Sequence, residues 1–473
     1  MSHAGSSSGA LVRARNKPCE MERLFSRESR YTIWRKLWLW LAESQKELGI
    51  IYLVPIPDTK PQDFREERII EDEDLEQLRR CCHVLHYQVN TQQMRSLAPD
   101  HLLDLRAQYH FITDLDAPRS EHWLNIGVTH EYTLESTEQI LMAYALDIMN
   151  TKLSMLIYRL RNFAMDHKSV QCLMYKPDSE RPYLTTIGER VAGWAKTLSS
   201  ILRAFQILRC SIGSAGSQPI TPGEQGNIAF HDKLSMIQHF EGDKLKCEKL
   251  DDLLRQKMGF EKCHAKDYFR YRSDTNGLLG HLCHKLGDIA LQVVEDLDHF
   301  DRTRQLVEKR ATNDGSPVTA EDPLYRQSPL LRIAAETLMQ VAHTFKDPRV
   351  SKTYGDEEYI MARLFKHAAR VVRVLQSIVE GLYYDGQNAY NIKWLEMPFM
   401  MSTPLISRHT VDVQNAILSV EDVTHSQRLV DEICGEDGII DTRLQPYSGY
   451  IREMTAGEMR LQAPLMIEAS QGH

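Results

Sequence analysis

The chain has 473 residues, 42% of them hydrophobic and 26% charged, and its 57 Lys+Arg against 65 Asp+Glu give a net charge of -8. That length calls for two or three packed regions rather than one small core, and the acidic balance argues against a nucleic-acid or anionic-membrane surface. Nine scattered cysteines, with Cys81 and Cys82 adjacent, are not the framework of a disulfide-stapled secreted domain.

The N-terminus lacks the apolar centre of a signal peptide, and no later run reads as long enough to cross a bilayer, so the expectation is a cytoplasmic protein with no membrane partner. Residues 1–12, rich in Ser and Gly, read as disordered. "YTIWRKLWLWLAESQKELG" then sets Trp34, Leu37, Trp38 and Leu41 at helical spacing, with Gly49 as the stop. Prolines at 55, 57, 61, 99 and 118 break the pattern into shorter charged helices, which delimits an N-terminal helical domain over 13–120.

"STEQILMAYALDIMNTKLSMLIYRLRNFAMDHKS" follows, about nine turns long, opened by Ser136 three residues before Gln139 as a capping box. Four more long segments come after it: "IGERVAGWAKTLSSILRAFQILRC", "TNGLLGHLCHKLGDIALQVVEDLDHFDRTRQLVEKR", "SPLLRIAAETLMQVAHTF" and "DEEYIMARLFKHAARVVRVLQSIVEGLYY". Together they predict an all-α fold, an elongated bundle of long helices over 121–385, flanked by the smaller N-terminal domain and a C-terminal helical cap over 386–473. Gly435 and Gly438 mark a turn in that cap, and no period-two alternation is long enough to predict a sheet.

Between two of the long helices lies "NDGSPVTAEDPLYRQSP", where Gly315, Pro317, Pro323 and Pro329 forbid a continuous helix. Loops held between rigid elements often carry function. The clusters "CCHVLH" (His83, His86) and "HLCHK" (Cys283, His284) do not complete a four-ligand set, so no metal is expected.

"RARNKPCEMERLFS" matches a family opening, SRYxSPEMxxxFS, at Arg15, Glu20, Met21, Phe25 and Ser26. Further matches follow in order: "RYTIWRKLWLWLAES", "IGVTH" for LGATS, "LTTIGER" for LTTVGKR, "IGSAGSQ" for KGTTGTQ, "IQHFEGDKLKCEKLDDLLRQKMGF", "SIVEGLYY" and "EMPFMMST". Across residues 12 to 420 the chain resembles the adenylosuccinate lyases of the fumarase/aspartase superfamily. The resemblance implies a homotetramer whose central bundle pools several subunits, with each active site built from three chains. It also implies cofactor-free cleavage of adenylosuccinate to AMP and fumarate, and of SAICAR to AICAR and fumarate, in purine nucleotide biosynthesis.

Such an elimination needs a base, an acid and fixed cations or dipoles. The resemblance places the family's general acid, the His of THFQPAQLTT, at Asp178, whose ordinary pKa of ~3.9 leaves it ionised at neutral pH. A second family His, in RHDVMAHVH, falls at Arg80 or nearby. The family's GSSAMPYKRNP loop, anchored on Gly315, puts its catalytic-base serine at Ser316, its Lys at Asp322 and its Asn at Leu324. The SANRR phosphate run becomes "YGDEE", with Tyr354 for the Ser and Glu357 and Glu358 for the Arg pair; two carboxylates repel a phosphate that an Arg fork would hold.

Arg15, Thr129, Gln218, Arg272 and Arg349 match substrate-contact or nearby positions, whereas Asn16 and His130 replace a Tyr and a Ser. The insertion "PITPGEQGNIAFHDK" follows the GSAGSQ loop. The expectation is a pseudoenzyme with lost or much reduced catalysis, forming a homotetramer or a mixed tetramer with an active lyase. The alternatives are an active lyase using Ser316 with Asp178 or His130, and a purely structural scaffold in which Ser316 caps a loop and the matched residues serve structural hydrogen bonds.

Overall fold

A computed structural model describes residues 19–55, 65–82, 100–113, 117–125, 128, 130–175, 182–212, 243–261, 268–308, 327–346, 354–387, 391, 420–436 and 438–440. The short α1 (Glu20–Leu24) leads into α2 (Arg27–Glu47), whose N-cap Ser26 accepts a hydrogen bond from the Ser29 amide at 3.2 Å. Gly49 follows with φ +65°, a left-handed conformation that costs glycine nothing and stops the helix. Trp34 and Trp38 point into a core shared with α3 (Asp72–Cys81), α4 (Asp100–Phe111) and Trp123.

The five long helices of the sequence reading are present. They are α5 (His130–Asp166), α6 (Ile187–Ser211), α8 (Tyr268–Arg302), α9 (Ser328–Lys346) and α10 (Tyr354–Gly381), with α7 (Lys244–Met258) set between α6 and α8 in the chain. At 1.5 Å per residue the 37 residues of α5 span about 55 Å, which makes the bundle long. α5 packs on α6 and α10, α8 on α6 and α9, and α9 on α10.

α5 corrects one expectation, because the stretch Tyr132–Asp166 is long and apolar enough to cross a membrane by length and composition alone. Its place in the bundle explains that composition. Leu141, Leu146, Met149, Leu153, Leu156 and Ile157 are buried, and 61% of its most apolar window lies inside the protein.

Three two-stranded antiparallel ribbons also correct the expectation of no sheet: β1 (Ile51–Pro55) with β2 (Arg65–Ile69), β3 (Gln171–Tyr175) with β4 (Pro182–Thr186), and β5 (Leu306–Glu308) with β6 (Leu382–Tyr384). None exceeds five residues, too short to establish a period of two, and Leu306 pairs with Tyr384 from a distant part of the chain. The fold remains all-α in class. α11 (Val420–Cys434) docks on α5, α6 and β4, where Arg161 donates to the Cys434 carbonyl at 2.6 Å and Lys168 pairs with Asp431 at 3.0 Å. The turn marked by Gly435 and Gly438 follows, closed by the Gly438 amide donating to the Gly435 carbonyl at 3.1 Å.

Candidate functional site

Arg15, Thr129, Asp178, Gln218, Ser316 and Arg349 lie outside the described residues, as do Asp322 and Leu324. Arg272 stands near the N-terminal end of α8, His130 opens α5, and Tyr354, Glu357 and Glu358 open α10. What the structure fixes is the framework from which the segments holding Asp178 and Ser316 depart.

Asp178 falls between β3 and β4, whose last pair is Tyr175 with Pro182. Ser316 falls between β5 and α9. The two ends of that second segment are tied together: the Gln327 amide donates to a Glu308 carboxylate oxygen at 3.1 Å, and the Gln327 side chain donates to Ser377 Oγ at 2.8 Å.

One buried amide joins the roots of the two segments. Gln305, 1% exposed, accepts from the Leu173 amide at 2.9 Å and donates to the Leu173 carbonyl at 3.2 Å. Its own carbonyl accepts from the Asp385 amide at 3.1 Å, next to β6. His299 Nε2 also lies 2.8 Å from the Leu173 carbonyl; burial pushes its pKa down, so the neutral ring donates that proton.

The "LTTIGER" motif has a structural role. Thr186 caps α6 by accepting from the Glu189 amide at 3.1 Å, while Thr185 donates to the Glu189 carboxylate at 2.7 Å. Arg190 grips Asp296 of α8 through Nε at 3.1 Å and Nη2 at 2.5 Å, and Trp194 Nε1 donates to the same carboxylate at 2.7 Å. Gly188 is obligatory for a different reason: a Cβ there would meet the Ala164 carbonyl oxygen and Lys168 Cα, both at 2.6 Å. The motif thus clamps α6 to the end of α5 and to α8, and its residues are spoken for without any substrate.

A half-open cavity of about 380 Å³ lies between α4 and the chain leading to Thr129, lined by Arg106, Tyr109, His110 and Asn125. Asn125 has φ +69°, and its Oδ1 is a buried acceptor without a partner. Tyr109 is half-buried, its phenol pushed up by desolvation and directed at the Glu121 carbonyl at 3.4 Å. A guanidinium, an imidazole, a phenol and an amide around so small a space suit one anionic, hydrogen-bonding group of a small molecule. The sequence reading missed these residues. Their only signal was the polar set at 106, 109 and 110, three and four apart on one helical face. Arg80, by contrast, is on the outer face of α3 beside Glu76, with its side chain 76% exposed.

Among the described residues no three His, Cys, Asp or Glu side chains gather as a metal site. Cys283 is fully buried, and His284 Nδ1 sits 3.2 Å from Asp288 on the helix surface; His83 and His86 lie outside the described residues.

No family model matches the chain. Among curated relatives, the adenylosuccinate lyase of Schizosaccharomyces pombe is 25% identical over 467 residues, covering 93% of this chain and 88% of its own. The adenylosuccinate lyase of Saccharomyces cerevisiae is 29% identical over 245 residues, covering 52% of this chain and 45% of its own. Among solved structures, the 3-carboxy-cis,cis-muconate lactonizing enzyme of Pseudomonas putida superposes with TM-score 0.65 at 13% identity, covering 95% of this chain and 92% of its own. A fumarate lyase from Mesorhizobium sp. BNC1 does so with TM-score 0.60 at 11% identity, covering 88% and 97%. The last two likenesses are of fold alone.

Proposed function

We propose that the chain is a divergent member of the adenylosuccinate lyase family, within the fumarase/aspartase superfamily, and that it serves purine nucleotide biosynthesis in the cytoplasm with its own catalysis lost or much reduced. It acts by assembling with itself or with an active lyase.

One observation carries this reading. The scaffold is tied together by buried and half-buried hydrogen bonds, of Arg190 with Asp296, Gln305 with Leu173 and Glu308 with Gln327. The groups that would do chemistry on that scaffold are exchanged: an acid position reads Asp178, a loop Lys position reads Asp322, and a phosphate Arg pair reads Glu357 and Glu358. The last exchange is the most telling physically. A helix N-terminus attracts anions, but α10 opens with Asp356, Glu357 and Glu358, so it carries its own. Carboxylates in the first turn of a helix suit its N-terminus and repel a phosphate.

Assembly is favoured by apolar side chains left exposed on the long helices, among them Tyr158 on α5, Ile207 on α6, Leu278 on α8 and Leu330 and Ile333 on α9. Helices of a bundle bury such faces against further helices.

A second reading, the active lyase, is favoured by where α9 begins. Helix α9 starts at Ser328–Pro329, and counting the family's GSSAMPYKRNP back from that proline sets its "YKRNP" on "YRQSP". On that count, Arg326 rather than Asp322 matches the Lys, and the loop retains a cation. Purified chain incubated with adenylosuccinate separates the two readings. Fumarate release that Arg326→Ala abolishes belongs to the active lyase; absence of turnover alone, with altered turnover when an authentic lyase is co-expressed, belongs to the pseudoenzyme.

A further inference from the structure

The outer face of α10 carries a stripe of cations that neither the lyase reading nor the bundle packing uses. Between Tyr359 and Val379 the sequence has no Asp or Glu, yet Arg363, Lys366, Arg370 and Arg373 are all exposed. On a helix of 3.6 residues per turn these four fall within about 80° of arc, while Leu364, Phe365, Ala368, Val371 and Val372 bury the opposite face.

Among the described residues, little neutralises the stripe. Lys366 pairs with Glu22 of α1, and the Arg363 guanidinium lies 5.6 Å from the Tyr359 ring centroid. Arg370 and Arg373 have no ion pair among the described residues. His367, beside the stripe, is disfavoured as a cation first by burial and then by Arg363, Arg370 and Lys366, which records how closely the charges gather. Like charges three and four residues apart destabilise a helix on its own, and such an arrangement in a chain of net charge -8 calls for an external anion.

The spacing identifies the kind of anion. Arg363 and Arg370 are seven residues apart, as are Lys366 and Arg373, and the half-buried Ala362 and Ala369, also seven apart, flank the stripe with side chains small enough for close approach. Seven-residue recurrence is the repeat with which one helix reads another, charged positions beside the seam choosing the partner. We propose that this face of α10 docks an acidic helix of another protein chain, with Asp or Glu recurring at the same interval. The proposal does not depend on whether the chain is an active lyase.

The test uses the full chain and two fluorescent helical peptides of identical composition. One carries Glu at positions i, i+3, i+7 and i+10; the other carries the same glutamates in one block. The spaced peptide is expected to bind at least ~10-fold more tightly than the blocked one, and more weakly as salt rises. The double variant Arg370→Gln, Arg373→Gln is expected to lose at least ~10-fold of that binding, whereas Arg203→Gln, on the exposed face of α6, leaves it unchanged. Circular dichroism confirms that both variants are folded. Equal binding of the two peptides, an unaffected double variant, or tighter binding of a charge-matched DNA duplex would each overturn the proposal.

Discussion

Gln305 holds the roots of two segments with one side chain, and no feature of its sequence surroundings announces this. Its partner Leu173 lies in a different hairpin 132 residues away, so the pairing exists only after folding. Replacing it by Leu removes its two hydrogen bonds to Leu173 and a third, donated to Thr303 Oγ1 at 2.8 Å, and leaves the Leu173 amide without its acceptor. The expected cost is about 2–3 kcal/mol, read from urea unfolding. Lys36 is a second residue whose environment was invisible beforehand. It sits on an apparently polar position of α2 but is only 7% exposed, and burial pulls its pKa down to about 8, partly countered by Cys82.

The sign of its pH effect follows. The unfolded lysine titrates near ~10.4, so between about 8 and that value the unfolded chain binds more protons, and stability rises with pH across the window. Below pH 8 the burial penalty is present in full. Lys36→Met is expected to raise stability at pH 7 by on the order of 1–3 kcal/mol and to remove that part of the rise, measured as the difference between the two unfolding curves at several pH values.

At the scale of elements, the long helices were legible because an apolar period sustained over many turns has one interpretation. Gly49 was legible as a stop for the same local reason and holds a left-handed φ of +65°; Gly259, which the sequence reading did not single out, ends α7 in the same way at +76°. The ribbons were not, since five residues or fewer carry no period and β5 meets β6 across the chain. Nor was the role of "LTTIGER" legible: sequence alone cannot separate a residue kept for substrate from one kept for a clamp, and Arg190 is engaged by Asp296. Gly188→Ala tests the clamp. The added Cβ meets backbone atoms at 2.6 Å that cannot swing aside, so α6 must shift from the end of α5 at a cost of about 1–3 kcal/mol, visible as a lowered denaturation midpoint.

At the scale of the whole molecule, an all-α bundle carries the proposed loss of chemistry. The candidate site was only partly legible. Collinear motifs carried the resemblance to the lyases, whereas the cavity lined by Arg106, Tyr109, His110 and Asn125 depends on α4 meeting a residue with positive φ. The exposed apolar side chains of α9 belong to this scale as well. Under the proposed homotetramer, Leu330→Asp with Ile333→Asp is expected to shift the chain from four times 54.6 kDa toward smaller species by sedimentation velocity while its helical circular dichroism is kept.

The loss of an effective elimination site proposed for this scaffold can be tested directly. The most direct measurement is fumarate release from adenylosuccinate by the purified chain, beside an authentic lyase at equal concentration. The account predicts release at background level, or far below the authentic enzyme; release at a rate near that of the authentic enzyme would contradict it.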